Sequence, residues 1–388
     1  MVSVTAPEGI DPLSRVHIML VADSLDAGGA ERHVVDLAIA LQGQQHQVTV
    51  ACSSLGAFEG TLRDTGIEMA VAAPCRTKRR VSAVYALGLR RLIAERKPAL
   101  IHSHMYASGT AAAIATLGTG IPLVHTEHSE AGWRSPRARL WARWAHHRSD
   151  QVVAVSQSIR DRLIEIDSMD PARVTMIRNA VPAASLQPAT VHWPFEPGAP
   201  LAGVVARLHP EKGVEIFLEA AAHVHRMCAR CRFVVVGSGP SQEQLEKLAE
   251  GLGLQGVVHF AGSHPDARAL FSLLDLVVVP SLSEGTPLVP LEAMHAARPV
   301  IATTAGGLPD QIGHGETGLL VPPGNPEALA GAILHLLREP ARRREMGAAG
   351  YRWVRQHDRH EMMLNQTLEV YRAALKAVTP ADLVTRYG

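Results

Sequence analysis

Residues 276–304 read LVVVPSLSEGTPLVPLEAMHAARPVIATT. The two apolar ends, Leu276–Val279 and Val300–Thr303, are short runs of the kind that form buried strands. The segment from Leu288 to Ala297 between them predicts a helix, and Gly285, Thr286 and Pro287 predict the loop before it. A strand, a loop and a helix in this order are half of a parallel βαβ unit. The stretch therefore predicts an α/β fold.

Two glutamates mark this unit as a candidate binding site. Glu284 lies on the loop and Glu292 lies about one turn inside the helix. Ligands of open parallel sheets bind beyond the carboxyl ends of the strands, and an ionised carboxylate accepts two or more hydrogen bonds. The pair therefore favours a ligand with many hydroxyls, such as a sugar joined to a nucleotide. The simpler alternative is a helix start that carries two solvated glutamates, which its dipole favours.

The spacing E-x7-E, set within PS-x-x-EG, EAM and PVI, resembles the retaining glycosyltransferases of family 4, of the GT-B type. The resemblance implies two Rossmann-like, doubly wound domains that face each other across a cleft. It also implies that Glu292 holds ribose hydroxyls of the donor and Glu284 holds its sugar. Thr286 and Leu288 join the donor-binding set on the same ground.

Composition limits the class of protein. The 388 residues are 47% hydrophobic and 19% charged, which indicates a globular chain of two or three domains. The net charge of +1 argues against a general nucleic-acid binder. The first fourteen residues are polar and no run of eighteen apolar residues occurs, so we expect neither a signal peptide nor a membrane span. We expect a cytoplasmic protein, with peripheral contact at the inner face of the membrane as an option.

The amino-terminal half begins with an apolar run, VHIMLV at 16–21, followed by Gly28, Gly29 and helical spacing. Free N–H groups at a helix start form an anion site, although a mere tight turn is the alternative. In the resembled family this glycine-rich loop lies near the donor phosphates and the acceptor. That role is carried over to Gly28 and Gly29.

Histidines follow two predicted strands of this half, Ala99–Ile101 and Leu123–His125. The first strand is followed by His102, Ser103 and His104, and the second by Thr126, Glu127 and His128. The pattern shows no third ligand for a metal, so no metal site is expected. The resemblance assigns His128 to the donor sugar, with His125 second, and His104 and His128 to the acceptor side.

A basic segment with tryptophans, Trp133–Arg148 (WRSPRARLWARWAHHR), contains no acidic residue. Arginine beside tryptophan on a helix is typical of an interfacial helix that binds anionic lipid. The loop Arg76–Arg80 (RTKRR) adds a second basic cluster. We predict contact with a membrane or a lipid-linked acceptor, the alternative being that Trp141 and Trp144 pack into the core.

The second half starts anew after a proline-rich linker at 179–200. A strand at 202–206 is followed by RLHPEKG, which carries Arg207 and Lys212, and then by a helix. Two cations at the carboxyl end of a strand suit a diphosphate, and R-x4-K-G matches the diphosphate-binding pair of the family. We predict an amino-terminal acceptor domain (1–185), a nucleotide-sugar domain (186–358) and a last helix (359–388) that crosses back to the first.

The function predicted is metal-independent, retaining transfer of a sugar from a nucleotide diphosphate sugar to a hydroxyl acceptor. A UDP-sugar is favoured over a GDP-sugar, and a lipid-linked or polysaccharide glycan is the acceptor class favoured. No cofactor is expected. Arg207, Lys212, Glu284 and His128 form the catalytic set. The alternatives are a nucleotide-sugar epimerase on the same fold, glycosylation of a small-molecule natural product, and a two-lobed binding protein without chemistry.

Overall fold

The chain forms two compact units, each with its own sheet. The computed structural model describes residues 13, 15–73, 77, 81–130, 134–182, 191, 193–264, 267–357 and 360–376. One unit takes the described residues of Met1–Ile177 and Glu361–Gly388, and the other takes those of Arg178–His360. The boundary lies after Ile177, ahead of the predicted residue 185, because Asn179 and Val181 already pack in the second unit. Asn179 Nδ2 donates to the Thr286 carbonyl at 2.8 Å, and Val181 is buried in that unit's core.

The first unit is built on a parallel sheet with the strand order β3-β2-β1-β4-β5-β6-β7. Its described strands are β1 His17–Ala22, β2 Gln47–Cys52, β3 Glu68–Val71, β4 Leu100–His104, β5 Leu123–Glu127, β6 Gln151–Ala154 and β7 Val174–Met176. The chain leaves β1 toward β2 on one side and returns to β4 on the other. The carboxyl ends of β1 and β4 therefore flank a topological switch point, where open α/β sheets bind ligands.

Helices alternate with these strands, as the parallel order requires. They are α1 Gly29–Gly43, α2 Glu59–Asp64, α3 Ala83–Arg96, α4 Tyr106–Ala115, α5 Pro136–Arg148 and α6 Gln157–Glu165. Three of them begin at a serine, Ser82, Ser135 or Ser156, whose hydroxyl accepts from the N–H three residues on. Such caps satisfy N–H groups that the helix itself leaves unpaired.

The second unit repeats this plan with the strand order β10-β9-β8-β11-β12-β13. Its strands are β8 Leu201–Val205, β9 Arg232–Val236, β10 Val258–Gly262, β11 Leu276–Val279, β12 Val300–Thr303 and β13 Gly318–Val321. Its helices are α7 Val214–Met227, α8 Gln242–Gly251, α9 Ala267–Leu270, α10 Val289–His295, α11 Leu308–Gln311, α12 Pro326–Arg338 and α13 Pro340–His357. The switch point of this sheet lies between β8 and β11.

Both faces of the second sheet are buried. Val278 of β11 packs in one hydrophobic cluster, whereas its neighbours Val277 and Val279 pack in another. Successive strand residues point to opposite faces, so helices cover the sheet on both sides. This is why β11 is a continuous apolar run, and it confirms the predicted doubly wound α/β class.

The last helix, α14 (His360–Lys376), belongs to the first unit apart from its first residue. Tyr371 is fully buried there, and its hydroxyl lies 2.7 Å from Nδ1 of His102 in β4. This contact ties the end of the chain to the centre of the first sheet. Among the described residues, no helix is both long enough and apolar enough to cross a bilayer.

Candidate functional site

An ion pair between Lys212 and Glu284 lies at the switch point of the second sheet. Lys212 Nζ donates to Glu284 Oε1 at 2.6 Å, and the hydroxyl of Ser281 donates to the same oxygen at 2.6 Å. The lysine follows β8 and the glutamate follows β11, so neighbouring strands bring together residues 72 positions apart. The side chains are 18% and 8% exposed, so the pair is shielded but accessible.

Gly213 allows the two loops to approach. Its φ of 60° lies in the left-handed region, and an added Cβ would lie 2.2 Å from the carbonyl oxygen of Pro280. Only glycine meets both conditions without cost. Next to this contact, the N–H of Leu282 donates to the carbonyl of Glu211 at 2.9 Å. The backbone therefore fixes the spacing between the loop of Lys212 and the loop of Glu284.

The loop of Glu284 is held on its other side by the glycine pair that follows β12. Gly306 has a φ of 54°, and a Cβ there would lie 1.8 Å from the carbonyl oxygen of Glu284. The N–H of Gly307 donates to the carbonyl of Gly285 at 2.8 Å. The Gly-Gly motif thus positions the candidate sugar-binding glutamate.

Arg207 lies two residues after the end of β8, and its side chain is half-buried. Within the described residues, no ion pair or hydrogen bond of its guanidinium is present. A partly desolvated cation without a counter-charge gains most from an anion, and a guanidinium binds phosphate oxygens in a bidentate manner. The arrangement around Arg207 suits a phosphate group of a ligand.

Glu292 lies in α10, 8% exposed, and its Oε1 accepts from Nε of Arg268 at 2.9 Å. Arg268 compensates the charge that burial would otherwise penalise. The sequence pattern gave no sign of this partner, because Arg268 lies in the separate short helix α9. A carboxylate has about four acceptor positions, so Glu292 retains capacity for ligand hydroxyls.

Thr286 and Leu288 lie between the two glutamates. Both are buried, and the side chain of Leu288 packs in the hydrophobic cluster that lines one face of the sheet. The carbonyl of Thr286 accepts from the side chain of Asn179. Leu288 therefore offers a ligand its backbone rather than its side chain.

In the first unit, the histidine segments differ from the prediction. His102, Ser103 and His104 form the end of β4 rather than a loop after it, and Thr126 and Glu127 end β5. The strands predicted to end at Ile101 and His125 continue to His104 and Glu127, so the predicted ends were wrong, because polar side chains here satisfy one another across the sheet. Nε2 of His102 lies 2.7 Å from the Thr126 hydroxyl.

His104 and His128 nevertheless come together. Nδ1 of His104 lies 3.2 Å from Nε2 of His128, which follows β5 directly. Burial holds the pKa of His104 well below its usual value and lowers the pKa of His128 to about 4. Both imidazoles are therefore neutral at neutral pH and can accept as well as donate a hydrogen bond.

His125, the second choice for the sugar contact, lies inside β5. Its Nδ1 lies 3.0 Å from the hydroxyl of Ser103, and the ring blocks any side chain at Gly109, whose Cβ would lie 2.6 Å from it. Burial lowers its pKa to about 3. His125 is therefore a neutral group of the core.

The glycine pair at the start of α1 has an acidic neighbour. Gly28 precedes the helix with an extended backbone, and a Cβ there would lie 2.3 Å from the carboxylate of Glu31, whereas Gly29 faces open space. Glu31 is buried in the first turn, where the helix dipole favours a negative charge. The anion site predicted at this helix start therefore has a carboxylate of the protein beside it.

Two further residues at this edge were missed by the sequence reasoning. Asp23 follows β1, and its Oδ1 accepts from the N–H and the hydroxyl of Ser108 at 2.7 and 2.8 Å. Burial raises its pKa to about 6. Met105, between β4 and α4, has φ 71° and ψ 178°, a region that residues other than glycine rarely adopt. Such strain concentrates at binding sites.

The basic segment is only partly available to a membrane. Arg134 is 4% exposed and donates to Glu127 at 2.6 Å, so it belongs to the core. Burial alone would raise the pKa of Glu127, but Arg134, His146 and Arg162 hold it well below its usual value. The absence of acid within the segment hid this partner, which comes from β5.

The rest of α5 divides between core and solvent. Trp144 is partly buried and packs against the core, whereas Trp141 is 43% exposed. The two rings meet edge to face, with their centroids 5.6 Å apart. The exposed arginines of this helix are Arg137, Arg139, Arg143 and Arg148. Trp133 and the cluster Arg76–Arg80, except Thr77, lie outside the described residues.

Comparison with known proteins places this geometry in a family. Residues 27–185 match the family described as Glycosyltransferase Family 4, and residues 191–353 match the one described as Glycosyl transferases group 1. The two regions together span both candidate sites.

Curated relatives match nearly the whole chain, including the following two. The D-inositol 3-phosphate glycosyltransferase of Rhodococcus erythropolis is 30% identical over 394 residues, which covers 90% of this chain and 87% of that protein. The alpha-maltose-1-phosphate synthase of Mycolicibacterium smegmatis is 30% identical over 388 residues, which covers 89% of this chain and 95% of that protein.

Solved structures share the fold. HepE from Anabaena, in complex with UDP-glucose, has a TM-score of 0.80 at 22% identity and covers 92% of this chain and 99% of its own. Sucrose-phosphate synthase from Thermosynechococcus elongatus has a TM-score of 0.79 at 23% identity, with coverage of 94% and 100%. The chain therefore belongs to glycosyltransferase family 4, with the GT-B fold and the activity of transferring a sugar from a nucleotide sugar.

Proposed function

We propose that this glycosyltransferase moves a hexose from a nucleoside diphosphate sugar, with UDP as the favoured nucleotide, to a hydroxyl acceptor with retention of anomeric configuration and without a metal. The observation that carries this proposal is the Lys212–Glu284 pair at the switch point of the second sheet. One partner suits a diphosphate and the other suits sugar hydroxyls, so the pair matches the two halves of one donor.

The proposed chemistry needs stabilisation of the leaving group. As the bond between the anomeric carbon and the diphosphate oxygen breaks, negative charge grows on the diphosphate. Lys212 and Arg207 supply positive charge there, and a fixed charge aimed at a developing one lowers the barrier by about 3 kcal/mol. The acceptor oxygen bonds to the same face of the sugar, and its proton passes to the departing phosphate oxygen. This front-face route needs no covalent nucleophile, and it agrees with the assignment of Glu284 to sugar hydroxyls.

The remaining groups take binding roles in the proposal. Glu292, held by Arg268, accepts hydrogen bonds from the ribose hydroxyls. Backbone groups at Thr286 and Leu288 contact the donor. His128 bonds a sugar hydroxyl as a neutral imidazole.

The acceptor side is assigned to the first unit. Gly28 and Gly29 let the acceptor approach the backbone at the start of α1, with Gly29 also close to the donor phosphates. His104 borders the same edge of the sheet, since it ends β4. An acceptor hydroxyl that binds here meets neutral imidazoles, which can accept its hydrogen bond without carrying a competing charge.

The acceptor proposed is a lipid-linked or polysaccharide glycan, and the enzyme is proposed to be cytoplasmic, with peripheral contact to the inner face of the membrane. Support comes from the exposed face of α5, where Leu140 and Trp141 lie among exposed arginines. Apolar and basic residues on one helix face favour an anionic lipid surface. The names of the two relatives favour a second class, a small phosphorylated polyol or sugar.

A ligand screen tests the donor. UDP, GDP and ADP, each with its glucose conjugate, are added to the protein and the melting temperature is followed, because a ligand that binds the folded state raises it. We expect the largest increase with the UDP compounds, and a Glu292→Gln variant should lose most of it. No increase with any of the three nucleotides would refute the proposed donor class. Products formed from the best donor are then assigned by NMR, where retention gives the anomer of the donor sugar.

Flotation with vesicles tests the membrane contact. Wild-type protein should float with vesicles that contain anionic lipid at low salt, and an Arg139→Glu/Arg143→Glu variant should not. The control is Arg344→Glu/Arg352→Glu on α13, which makes the same change of charge at exposed positions of the other unit. Equal flotation of both variants, or none by the wild type, would remove α5 from the proposal.

A further inference from the structure

Three histidines from separate elements form a cluster at the carboxyl end of the first sheet. They are His33 in α1, His104 at the end of β4 and His128 after β5, and this set is called the histidine triad below. The ring centroid of His33 lies 5.5 Å from that of His104 and 5.1 Å from that of His128. The rings of His104 and His128 are 5.4 Å apart. Each residue offers one ring nitrogen, and the three nitrogens lie within 4.8 Å of one another.

The spacing of the triad suits a first-row transition metal. Imidazole nitrogens bind Zn²⁺ at about 2.0–2.1 Å, which places two such nitrogens about 3.3 Å apart in a tetrahedral site. Nδ1 of His104 and Nε2 of His128 are 3.2 Å apart. The other nitrogen of His104, Nε2, is buried and has no hydrogen-bond partner among the described residues. A modest inward movement of the His33 ring would complete a three-nitrogen site.

Neighbouring groups do not offer the same chemistry. The ring of His102 lies 4.1 Å from that of His104, but its two nitrogens are engaged by Tyr371 and Thr126. A second group, His125 with Glu127 and His146, also has its ligand atoms within 4.8 Å. Arg134 and Arg162 already supply cations to Glu127 there, at 2.6 and 3.5 Å. The histidine triad differs from both groups, because its ring nitrogens lie within 4.8 Å of one another and Nε2 of His104 has no hydrogen-bond partner among the described residues.

We propose that His33, His104 and His128 bind one Zn²⁺ ion, and that its occupancy inhibits sugar transfer. Three protein ligands leave the fourth tetrahedral position to water or to a substrate oxygen, as in open zinc sites. The second half of this inference rests on the proposed function, because the metal would engage the imidazole of His128, which is proposed to bond the donor sugar. The transfer itself needs no metal, so Zn²⁺ acts here as an inhibitor.

Metal binding is tested on tag-free, full-length protein with Co²⁺ as a spectroscopic substitute for Zn²⁺. We expect the visible absorption of a tetrahedral cobalt complex with one ion per chain, and its loss when Zn²⁺ is added. His33→Gln should weaken Zn²⁺ binding by at least about tenfold, the lower limit seen even for lost outer partners of metal ligands. Melting curves of the variants show whether the fold is kept.

The control variant is His17→Gln, which removes a histidine from the amino end of β1, far along the same sheet from the triad. The chain has 20 histidines, so weak surface binding is the main competing explanation. The proposal is supported if His33→Gln loses the site and His17→Gln keeps it. It is overturned if Co²⁺ gives no tetrahedral spectrum, or if both variants bind Zn²⁺ as the wild type does.

Inhibition is tested by release of UDP from the donor that the ligand screen selects. His33→Gln should keep the metal-free rate within about twofold and need at least about tenfold more Zn²⁺ for half inhibition, in line with its lost affinity. If Zn²⁺ inhibits both proteins at the same concentration, the triad is not the inhibitory site. If no donor is turned over, the proposed function fails, whereas the cobalt experiment still decides the metal site.

Discussion

Replacement of Lys212 by alanine is the sharpest test of the donor site. Lys212 is proposed to stabilise the leaving diphosphate, and loss of one fixed donor of this kind costs about 3 kcal/mol, or a factor of 10²–10³ in kcat. We therefore expect Lys212→Ala to lower kcat at least about a hundredfold. The assay is the release of UDP from the donor selected by thermal shift.

The structure provides a matched control. Lys247 pairs with Glu243 at 2.6 Å, the same distance as Lys212 and Glu284, but these side chains are 72% and 82% exposed rather than 18% and 8%. An exposed pair of this kind contributes about 0–1 kcal/mol to stability. Lys247→Ala should therefore leave both kcat and the melting temperature almost unchanged. If Lys212→Ala kept more than about a third of the wild-type rate, the leaving-group role would be refuted.

A double-variant cycle separates a direct role of Lys212 from an indirect one through Glu284. If Lys212 only holds the glutamate in place, Lys212→Ala, Glu284→Gln and the double variant should lose similar activity. If Lys212 contacts the diphosphate, the double variant should be clearly slower than Glu284→Gln, because residues in contact couple only through the interaction that both share. Donor binding, measured by calorimetry with UDP, should weaken for Lys212→Ala in both backgrounds.

Three further predictions concern binding and stability. Glu292→Gln should weaken UDP binding at least about tenfold by calorimetry, because it removes a charge-assisted acceptor from the ribose; unchanged affinity would exclude the ribose contact. Tyr371→Phe should lower the free energy of unfolding by about 1–3 kcal/mol in a urea titration, since it leaves Nδ1 of buried His102 without its partner; Tyr351→Phe should cost little, because Tyr351 is 37% exposed and its hydroxyl, among the described residues, accepts only from the exposed Arg355. Glu127→Gln should destabilise the first unit by about 3–5 kcal/mol at pH 7, because it leaves the guanidinium groups of Arg134 and Arg162 without the carboxylate that they pair with. The pKa of Glu127 is lowered in the folded state, so its contribution is complete above the unfolded pKa of about 4.5 and is lost as pH falls through the folded pKa; a cost that does not shrink in acid would contradict this.

The sequence alone determined the local units of the fold and the units on which the candidate donor residues lie. The strands Leu276–Val279 and Val300–Thr303 form at the residues predicted, and a helix follows RLHPEKG as predicted. The reason is physical: a buried parallel strand is a continuous apolar run, and a covering helix has apolar residues at its own period. Both glutamates of E-x7-E lie on one such strand–loop–helix unit, so their positions in the fold follow from their spacing in the sequence.

Only the tertiary structure decided which distant side chains meet. The third histidine of the triad comes from α1, Arg134 is buried against Glu127, and Arg268 compensates Glu292. None of these contacts follows from residue spacing, because each joins elements that strand order and packing bring together. The same applies to the ends of β4 and β5, where polar side chains extend the strands by pairing across the sheet. The periodicity of apolar residues in the sequence predicts which side chains are buried. Which polar side chains meet across two strands depends on the register between those strands, and that register exists only in the folded sheet.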